Sequence, residues 1–384
     1  MKTLGILTLM LSLATASLSA TGEAALHEHW KRPVDTGNTV SGPYPDSCAR
    51  CHQGQYEDWK GSLHSKSVGP GLVGQLDIDI DPQTAISCYY CHAPVVAQSE
   101  VITKDDASGG KTYLPNGFFD EKLKSSGVSC AVCHLRQGRV FGPPSPNQAD
   151  FKNGVKADHA YVQEGFFEKA EFCAACHQLD EGFELNGKLL VNTYNEWKDS
   201  WYGKNNVVCQ TCHMPGRRHL FRGIHDIEMV KSGVSFEVER PAGQARASAK
   251  LRITNSGTGH YFPTYVTPLV VVKGFLTDAK RNVLKGTMKE ALIGRKATLD
   301  LSKELFDTRI APFKSFEFDY TVKRAPKARR LVFEVWVFPD EFYNRFFENA
   351  LKDNDPTMKK QKLKEAFKNT SGSGYLLFKR EIPL

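Results

Sequence analysis

The sequence Cys48-Ala-Arg-Cys51-His52 is the starting point, because its Cys-x-x-Cys-His pattern returns four more times. The further copies are Cys88-Tyr-Tyr-Cys91-His92, Cys130-Ala-Val-Cys133-His134, Cys173-Ala-Ala-Cys176-His177 and Cys209-Gln-Thr-Cys212-His213. Together they use all 10 cysteines of the chain. Two thiols at this spacing can bind both vinyl groups of one porphyrin, and the next residue offers an imidazole to the iron. The sequence therefore predicts five covalently bound haem c groups, each with a proximal histidine.

Other uses of paired cysteines fit the pattern less well. Zinc ribbons place their two Cys-x-x-Cys knuckles about 15 to 20 residues apart. The copies here start about 40 residues apart, and each ends in histidine. Thioredoxin-like redox pairs need a βαβ setting, which would not occur five times, and five structural disulfides between such close cysteines are equally unconvincing. We therefore favour haem attachment.

Length and composition indicate a globular protein of two or three domains. The chain has 384 residues, of which 41% are hydrophobic and 24% are charged. These values exclude disordered, collagenous and polytopic membrane classes. The formal net charge is +7, but five haems would add about ten propionate carboxylates. The basic charge therefore does not indicate a nucleic-acid partner.

The first twenty residues have the pattern of a signal peptide. Lys2 is followed by an apolar stretch from Leu4 to Leu18, and small residues surround Ala20. The stretch is shorter than the roughly 20 apolar residues of a membrane span, and no second run of that length follows. We expect residues 1–20 to be cleaved. The mature chain is then expected in the periplasm or at the extracellular surface, without a transmembrane segment.

The histidine count allows two axial histidines for every iron. The five proximal ligands would be His52, His92, His134, His177 and His213. Of the 12 histidines, those that remain are His27, His29, His64, His159, His219, His225 and His260. Bis-histidine ligation of all five irons is therefore open, and methionine ligation is not required. His27 and His29 lie near the expected mature amino terminus, and we interpret them as part of a tail.

The segment after the first motif resembles a family of multihaem cytochromes c. Tyr56-Glu-Asp-Trp59-Lys-Gly-Ser62-Leu-His64 is similar to the Trp-x-x-Ser-x-His segment of cytochromes related to the tetrahaem electron carrier of ammonia oxidisers. In that family this histidine is a distal haem ligand. Tyr194-Asn-Glu-Trp197-Lys-Asp-Ser200-Trp-Tyr202 repeats the pattern before the fifth motif. Tyr202 stands where the first copy has His64, and we do not assign it to iron.

The resemblance covers most of residues 45 to 265. It continues through His159, through Arg218-His219-Leu-Phe-Arg-Gly223-Ile-His225, and through the glycine-flanked His260 with Pro263 and Thr264 after it. It implies that the distal ligands are His64, His159, His219, His225 and His260. Gly257 and Gly259 would permit a close approach of the backbone to a flat ring. We therefore expect His260 to reach back from the second domain and bind a haem iron.

The predicted architecture is multidomain. Residues 21–230 should form a mainly helical or irregular pentahaem cytochrome c domain, in which the porphyrins supply much of the core. Residues 231–384 should form an all-β antiparallel sandwich resembling an immunoglobulin fold without its disulfide. Its predicted strands are Val234–Glu239, Ala247–Thr254, Val266–Leu276, Phe316–Val322 and Leu331–Phe338. A helix near 355–369 should precede a last strand, Tyr375–Ile382.

Two classes of function follow from five haems. The first is an electron carrier in respiratory or extracellular electron transfer, with other cytochromes or a quinol-linked membrane complex as redox partners. The second is a reductase of a small nitrogen or sulfur oxo-species at one five-coordinate haem. We favour the carrier, because no Cys-x-x-Cys-Lys variant marks a catalytic haem. A haem-filament subunit or partner-docking role for the sandwich, with a homo-oligomer or polymer, stays open beside it.

Overall fold

The computed structural model describes residues 34–37, 42–76, 81–106, 110–144, 161–240, 246–353 and 360–384. The expectations for the signal peptide at 1–20, for His27 and His29, and for His159 lie outside these residues. Within them, no helix is both long and apolar enough to cross a membrane.

Short helices dominate the chain up to residue 233. They are α1 (Pro45–Ala49), α2 (Gln53–Gly61), α3 (Pro70–Leu76), α4 (Pro82–His92), α5 (Glu121–Lys124), α6 (Cys130–His134), α7 (Glu171–His177), α8 (Thr193–Asp199), α9 (Trp201–Lys204), α10 (Cys209–His213) and α11 (Ile227–Gly233). The histidine of each motif from the second to the fifth is the last residue of its helix. One helical turn thus brings both cysteines and the histidine of a motif to the same place.

Among the described residues, three small sheets interrupt these helices, and the sequence did not predict them. Their strands are β1 (Val101–Asp105), β2 (Lys111–Pro115), β3 (Leu135–Arg136), β4 (Arg139–Gly142), β5 (Tyr161–Gln163), β6 (Glu184–Leu185) and β7 (Lys188–Leu189). Strands of two to five residues are too short for a visible alternation of apolar and polar residues. Gly138 and Gly187 close two of the hairpins with positive φ values of 76° and 66°.

Apolar packing in this helical part is divided into small clusters. One cluster is centred on Leu123 and Val132, and another joins Leu72 to Tyr89. A stretch of this length would ordinarily bury one continuous core. Small clusters around the motifs are what a domain needs if large apolar cofactors complete its interior.

The later part of the chain is a two-layer antiparallel β structure. Its strands are β8 (Val234–Glu239), β9 (Arg246–Asn255), β10 (Leu269–Thr277), β11 (Lys289–Ala297), β12 (Glu304–Asp307), β13 (Ser315–Lys323), β14 (Arg330–Phe338) and β15 (Tyr375–Pro383). One sheet has the order β12-β11-β10-β14-β15 and the other has the order β13-β9-β8. In register, Val271 pairs with Trp336 and Leu251 pairs with Phe318.

A single core joins the two sheets. Leu251 and Val335 are fully buried from opposite sheets, and Phe318 and Tyr320 contact the ring of Phe333 edge-on. Alternating residues of each strand supply this core, as expected for a sandwich. The α11 helix runs directly into β8 at Val234, so the helical part and the sandwich are joined without a linker.

The predicted strands match the observed ones within a few residues, and two strands were missed. The predicted strand from Val266 begins three residues too early, because Pro268 lacks the N–H that a paired strand would donate. Strands β11 and β12 were missed because lysine, arginine and glutamate hide their alternation.

The predicted late helix belongs to a hairpin of two helices. It corresponds to α13 (Lys360–Ser371), which packs against α12 (Glu341–Lys352). Leu363 of α13 lies against Gly74 of α3 so closely that a Cβ at Gly74 would come within 3.1 Å of its side chain. The hairpin inserted in the sandwich thus contacts the helical part beside the second motif.

Candidate haem-binding sites

Four motif histidines turn Nδ1 towards an acceptor. The Nδ1 distances are 3.0 Å from His92 to the Ser67 carbonyl, 2.7 Å from His134 to the Phe141 carbonyl, 2.7 Å from His213 to the Arg222 carbonyl and 2.6 Å from His177 to the Tyr265 hydroxyl. An imidazole that donates from Nδ1 keeps Nε2 free for a metal, and the hydrogen bond orients the ring. These four rings are therefore arranged as iron ligands.

Three of these rings each face a second histidine ring, at a separation that would fit one iron between the two rings. Two imidazoles that bind one iron, each at a nitrogen-to-metal distance of about 2 Å, have ring centroids about 6 Å apart. The centroid separations are 6.2 Å for His64 and His177, 6.2 Å for His134 and His219, and 6.4 Å for His213 and His260. Each pair joins a motif histidine to one that the family resemblance implies as a distal ligand.

The distal histidine rings also have features that metal binding requires. Nδ1 of His219 and of His260 lies 3.1 Å and 2.9 Å from the backbone carbonyls of Arg217 and Tyr261. Burial, together with the nearby His177 and other histidines, lowers the pKa of His64 to about 3. Burial also lowers the pKa of His177 to about 4. These rings are therefore neutral at physiological pH, and a neutral imidazole has the lone pair that binds iron.

The cysteines also suit covalent attachment of haem. All ten are free thiols, as thioether formation to a porphyrin requires. Sulfur atoms of different motifs are close neighbours in three pairs, which are Cys48 with Cys130, Cys91 with Cys176, and Cys173 with Cys209. The paired thiols and axial histidines fit c-type haem by their donor chemistry, and the haem sites lie close to one another.

The repeated tryptophan pattern holds motifs together in pairs. The indole Nε1–H of Trp59 donates to the carbonyl of Val128 at 2.7 Å, and that of Trp197 donates to the carbonyl of Val207 at 2.8 Å. Each carbonyl lies two residues before the first cysteine of a motif, the third in one case and the fifth in the other. Each indole thus fixes the entry into a motif helix.

The tyrosine of the same pattern holds a second motif. The hydroxyl of Tyr56 donates to Asp46 at 3.0 Å, and that of Tyr194 donates to Glu171 at 2.9 Å. Each carboxylate lies two residues before a motif, the first in one case and the fourth in the other. The sequence repeat is therefore a structural unit that binds motif one to motif three, and motif four to motif five. Tyr202 of the second copy points its hydroxyl towards the carbonyl of Ser256 at 3.5 Å.

His225 has a different partner from the other candidate ligands. Its Nε2 lies 3.0 Å from both carboxylate oxygens of Asp340, so the nitrogen that the paired rings leave for iron is already engaged. The side chain is 33% exposed. This geometry does not support the sequence-based assignment of His225 to iron. The ring instead ties the chain after the fifth motif to the start of α12.

Charged side chains form contacts between the helical part and the sandwich that sequence reasoning missed. Arg309 after β12 donates to Glu196 of α8 at 2.9 Å, and both side chains are only 5% exposed. Lys188 of β7 donates to Glu304 at 2.8 Å and to Asp307 at 2.6 Å. These partners are more than 110 residues apart in the chain, so no local pattern could have indicated them.

Two carboxylates of this interface are held ionised. Burial opposes ionisation of Asp307, but hydrogen bonds from Arg309 and Lys188 outweigh it and keep the pKa well below the usual range. Burial likewise opposes ionisation of Glu304, and hydrogen bonds led by that of Lys188 keep its pKa low. The interface is therefore an ionised network at neutral pH.

Known proteins resemble this chain in sequence and in fold. Residues 47–135 match the family described as cytochrome c554 and c-prime. Over 197 residues the chain is 24% identical to cytochrome c-552 of Aliarcobacter butzleri (strain RM4018), and the match covers 46% of this chain. It covers only 36% of that protein, so the chain spans about a third of the length of this curated relative. These likenesses support a multihaem c-type cytochrome.

The fold has a solved counterpart. A penta-heme cytochrome c552 from Thermochromatium tepidum superposes with a TM-score of 0.61 over 88% of this chain and 97% of that chain. The sequence identity is 22%, so the likeness concerns the fold.

Proposed function

We propose that this chain is an exported pentahaem c-type cytochrome that transfers electrons between redox partner proteins in respiratory or extracellular electron transfer. The observation that carries the proposal is the three opposed histidine pairs, because an iron with two imidazole ligands has no open position and serves electron transfer. The expected partners are other cytochromes or a quinol-linked membrane complex. The expected location is the periplasm or the cell surface, following cleavage of residues 1–20.

Contacts between motifs support a continuous path. Cys48 of motif one neighbours Cys130 of motif three, and Cys133 of motif three lies near Cys173 of motif four. Motif four also neighbours motif two through Cys176 and Cys91, and neighbours motif five through Cys173 and Cys209. The inferred order is one, three, four, with two and five as branches at motif four.

The protein's residues hold this path together. When bound, the haems supply the electron chemistry by passing electrons between neighbouring irons. Nδ1 hydrogen bonds orient five of the paired rings, those of His134, His177, His213, His219 and His260. The indoles of Trp59 and Trp197 fix the motif helices. Rigid axial ligation keeps the change in geometry small when an iron gains or loses an electron.

The test of this function removes the distal rings. We expect His64→Ala, His219→Ala and His260→Ala each to convert one low-spin ferric haem to high spin, and the triple variant to convert three. Absorption and electron paramagnetic resonance spectra of the ferric protein would measure this. A triple variant that stays fully low-spin would overturn the proposed pairing.

A second candidate function is reduction of a small nitrogen or sulfur oxo-species at the haem of motif two. The observation that favours it is that, within the residues the structure describes, no second histidine ring lies opposite His92. Cyanide added to the ferric wild-type protein tests it. A high-spin component of one haem that disappears with stoichiometric cyanide supports a reductase site, and a wholly low-spin, cyanide-insensitive protein eliminates it.

We infer that the C-terminal domain is immunoglobulin-like. With β8 to β15 as successive strands, the three-stranded sheet holds the first, second and sixth, and the larger sheet places the third, seventh and eighth side by side. This matches the arrangement in which strands A, B and E face strands C, F and G, with two extra strands beside C. No cysteine lies in this domain, so it would lack the usual disulfide.

A further inference from the structure

The two copies of the tryptophan pattern share their internal geometry as well as their sequence. The rings of Tyr56 and Trp59 have centroids 5.7 Å apart, and those of Tyr194 and Trp197 have centroids 5.6 Å apart. In each copy, the serine three residues after the tryptophan donates its hydroxyl to the tryptophan carbonyl, at 2.7 Å in the first copy and 2.6 Å in the second. The two copies can therefore be compared position by position.

The first copy ends on a residue that reaches the next haem site. The indole of Trp59 fixes motif three, whereas His64 faces His177 of motif four with ring centroids 6.2 Å apart. The histidine of motif three is paired separately, with His219. The end of the first copy thus points away from the motif that it holds and towards the following one.

The second copy ends where the series of motifs ends. The indole of Trp197 fixes motif five, and Tyr202 takes the position of His64. Motif five has its own opposed pair, His213 and His260, and the sandwich follows it instead of a sixth motif. By comparison with the first copy, Tyr202 faces the place where the next haem of the series would lie. In this sequence, only another protein can bring a haem to that place.

Tyr202 belongs to an exposed aromatic cluster. Its ring stacks on that of Phe313 with centroids 5.5 Å apart and planes 6° apart, and Trp201 contacts both rings edge-on. Trp201 is 55% exposed and Phe313 is 51% exposed. Phe313 also has a positive φ of 59°, which is rare for a bulky side chain. Backbone strain and apolar exposure at one place indicate a contact surface.

Hydrogen bonds hold this cluster beside the fifth haem site. The carbonyl of Tyr202 accepts from the N–H of Val207 at 2.9 Å, just before motif five. The N–H of Phe313 donates to the carbonyl of Asn255 at 2.8 Å. The buried side chain of Asn255 donates in turn to the carbonyl of His260 at 2.9 Å. The cluster is thus tied both to the entry of motif five and to its distal histidine.

The rim of the cluster is basic. Three exposed lysines lie within three residues of a cluster member in the sequence, and they are Lys198, Lys204 and Lys314. Among the residues that the structure describes, none of the three has an ion-pair partner. Asp199 is the one carboxylate that lies equally close in the sequence. A partner that fits this surface therefore carries carboxylates around an apolar contact, because opposite charges steer the encounter.

We propose that the aromatic cluster of Trp201, Tyr202 and Phe313, with its lysine rim, is the surface on which an acidic redox protein docks to exchange electrons with the haem of motif five. The proposal rests on the electron-carrier function proposed above, in which motif five ends a branch of the path. The lysines set the rate of encounter, and the two exposed rings supply most of the contact energy. A small contact suffices, because transient redox complexes bury little surface.

The test alters this surface without changing an axial ligand. Trp201→Ala combined with Phe313→Gly removes the exposed rings, and glycine suits the positive φ at position 313. Lys204→Gln combined with Lys314→Gln removes two charges of the rim. The second variant keeps the test valid if loss of the rings impairs folding.

Each double variant has a matched control. Phe183→Ala combined with Leu305→Ala removes two exposed apolar side chains outside the cluster. Lys323→Gln combined with Lys327→Gln removes two exposed lysines at the end of β13 and just after it. The control variants thus make the same kinds of change at other places on the surface.

Stopped-flow absorption of the complete haem-loaded protein measures the reaction. The probe is a reduced plant-type [2Fe–2S] ferredoxin, an acidic protein, and each transfer oxidises one of its clusters and reduces one ferric haem. The measurement is repeated at several ionic strengths, and with dithionite as a small chemical reductant.

We expect the second-order rate constant with ferredoxin to fall about tenfold in the aromatic variant. In the lysine variant it should fall about fivefold at low salt and depend less steeply on ionic strength. Both control variants should react like the wild type, and dithionite should reduce all variants at the same rate. Unchanged rate constants in both surface variants would overturn the proposal, and so would equal losses in the controls or a faster reaction of the lysine variant.

Failure of the carrier function has a different signature. The rate of the first transfer reports the docking surface, whereas the final extent of reduction reports transfer among the haems. If the surface is right and the carrier function is wrong, ferredoxin reduces one haem at a rate that depends on the cluster and leaves the other four oxidised.

Discussion

At the scale of single residues, the nitrogen that a histidine uses for its hydrogen bond separates ligands from structural histidines. His219 and His260 bond a nearby backbone carbonyl through Nδ1, and each faces a motif histidine. His225 bonds Asp340 through Nε2 and has none of these features. His219 and His225 lie in one short segment, so they form a natural comparison.

We predict that His225→Ala leaves the low-spin ferric spectrum unchanged, whereas His219→Ala makes one haem high-spin. Loss of the bond to Asp340, which is partly exposed, should cost the fold about 1 kcal/mol. Ferric absorption spectra and chemical denaturation would measure both effects. A high-spin haem in His225→Ala would restore the sequence-based assignment of this residue to iron.

Residue roles could be predicted from the sequence only where the chemistry is local. The cysteines and proximal histidines lie within five consecutive residues, so the motif reveals them. The partner of His64 is His177, and the acceptor for His177 is Tyr265, each far away in the chain. Such pairings depend on the packing of whole segments, and neither spacing nor composition contains them.

At the scale of elements, the repeated segments Tyr56–His64 and Tyr194–Tyr202 contribute stability that their short helices cannot supply alone. Helices of five to nine residues are marginal by themselves, and the Trp59 indole is 8% exposed with its N–H bonded across 69 residues to Val128. The contact therefore links α2 to α6.

We predict that Trp59→Phe destabilises the holoprotein by about 1–3 kcal/mol, because the carbonyl of Val128 loses its donor inside the protein. Denaturant-induced unfolding followed by circular dichroism would measure the loss. Trp201→Phe is the control, since Trp201 is 55% exposed and should change stability by less than about 0.5 kcal/mol. Equal effects of both variants would show that the indole bond does not carry the stability.

Element prediction succeeded where the side chains alternate cleanly. The predicted strand Val234–Glu239 has the bounds of β8, in which Val234 is buried and Ser235 is exposed. By contrast, β12 has only four residues and carries Glu304 and Asp307 for the domain interface. A strand whose charged side chains are used by a neighbouring domain does not show the usual pattern.

At the scale of the whole molecule, an ionised network joins the helical part to the sandwich. The pKa of Asp307 is held well below its usual range by Arg309 and Lys188 against the effect of burial. A carboxylate with a lowered folded-state pKa contributes stability above its unfolded pKa of about 4 and loses it as the pH falls through the folded value. Docking of the two parts should therefore weaken in acid.

We predict that Asp307→Asn lowers the free energy of unfolding at pH 7 by about 1–3 kcal/mol and reduces its decline below about pH 4. Denaturant titrations at several pH values would measure both effects. Glu290→Gln is the control, since Glu290 forms only a partly exposed pair with Lys273 and should behave like the wild type. An acid transition of unchanged steepness in Asp307→Asn would show that this carboxylate does not couple docking to pH.

The central claim is that the five motifs each bind one haem covalently. Mass spectrometry of the exported protein after denaturation tests this most directly, because thioether-bound haem stays with the unfolded chain. We predict the mass of the cleaved chain plus five haems of about 0.6 kDa each. A mass corresponding to four haems or fewer would contradict it.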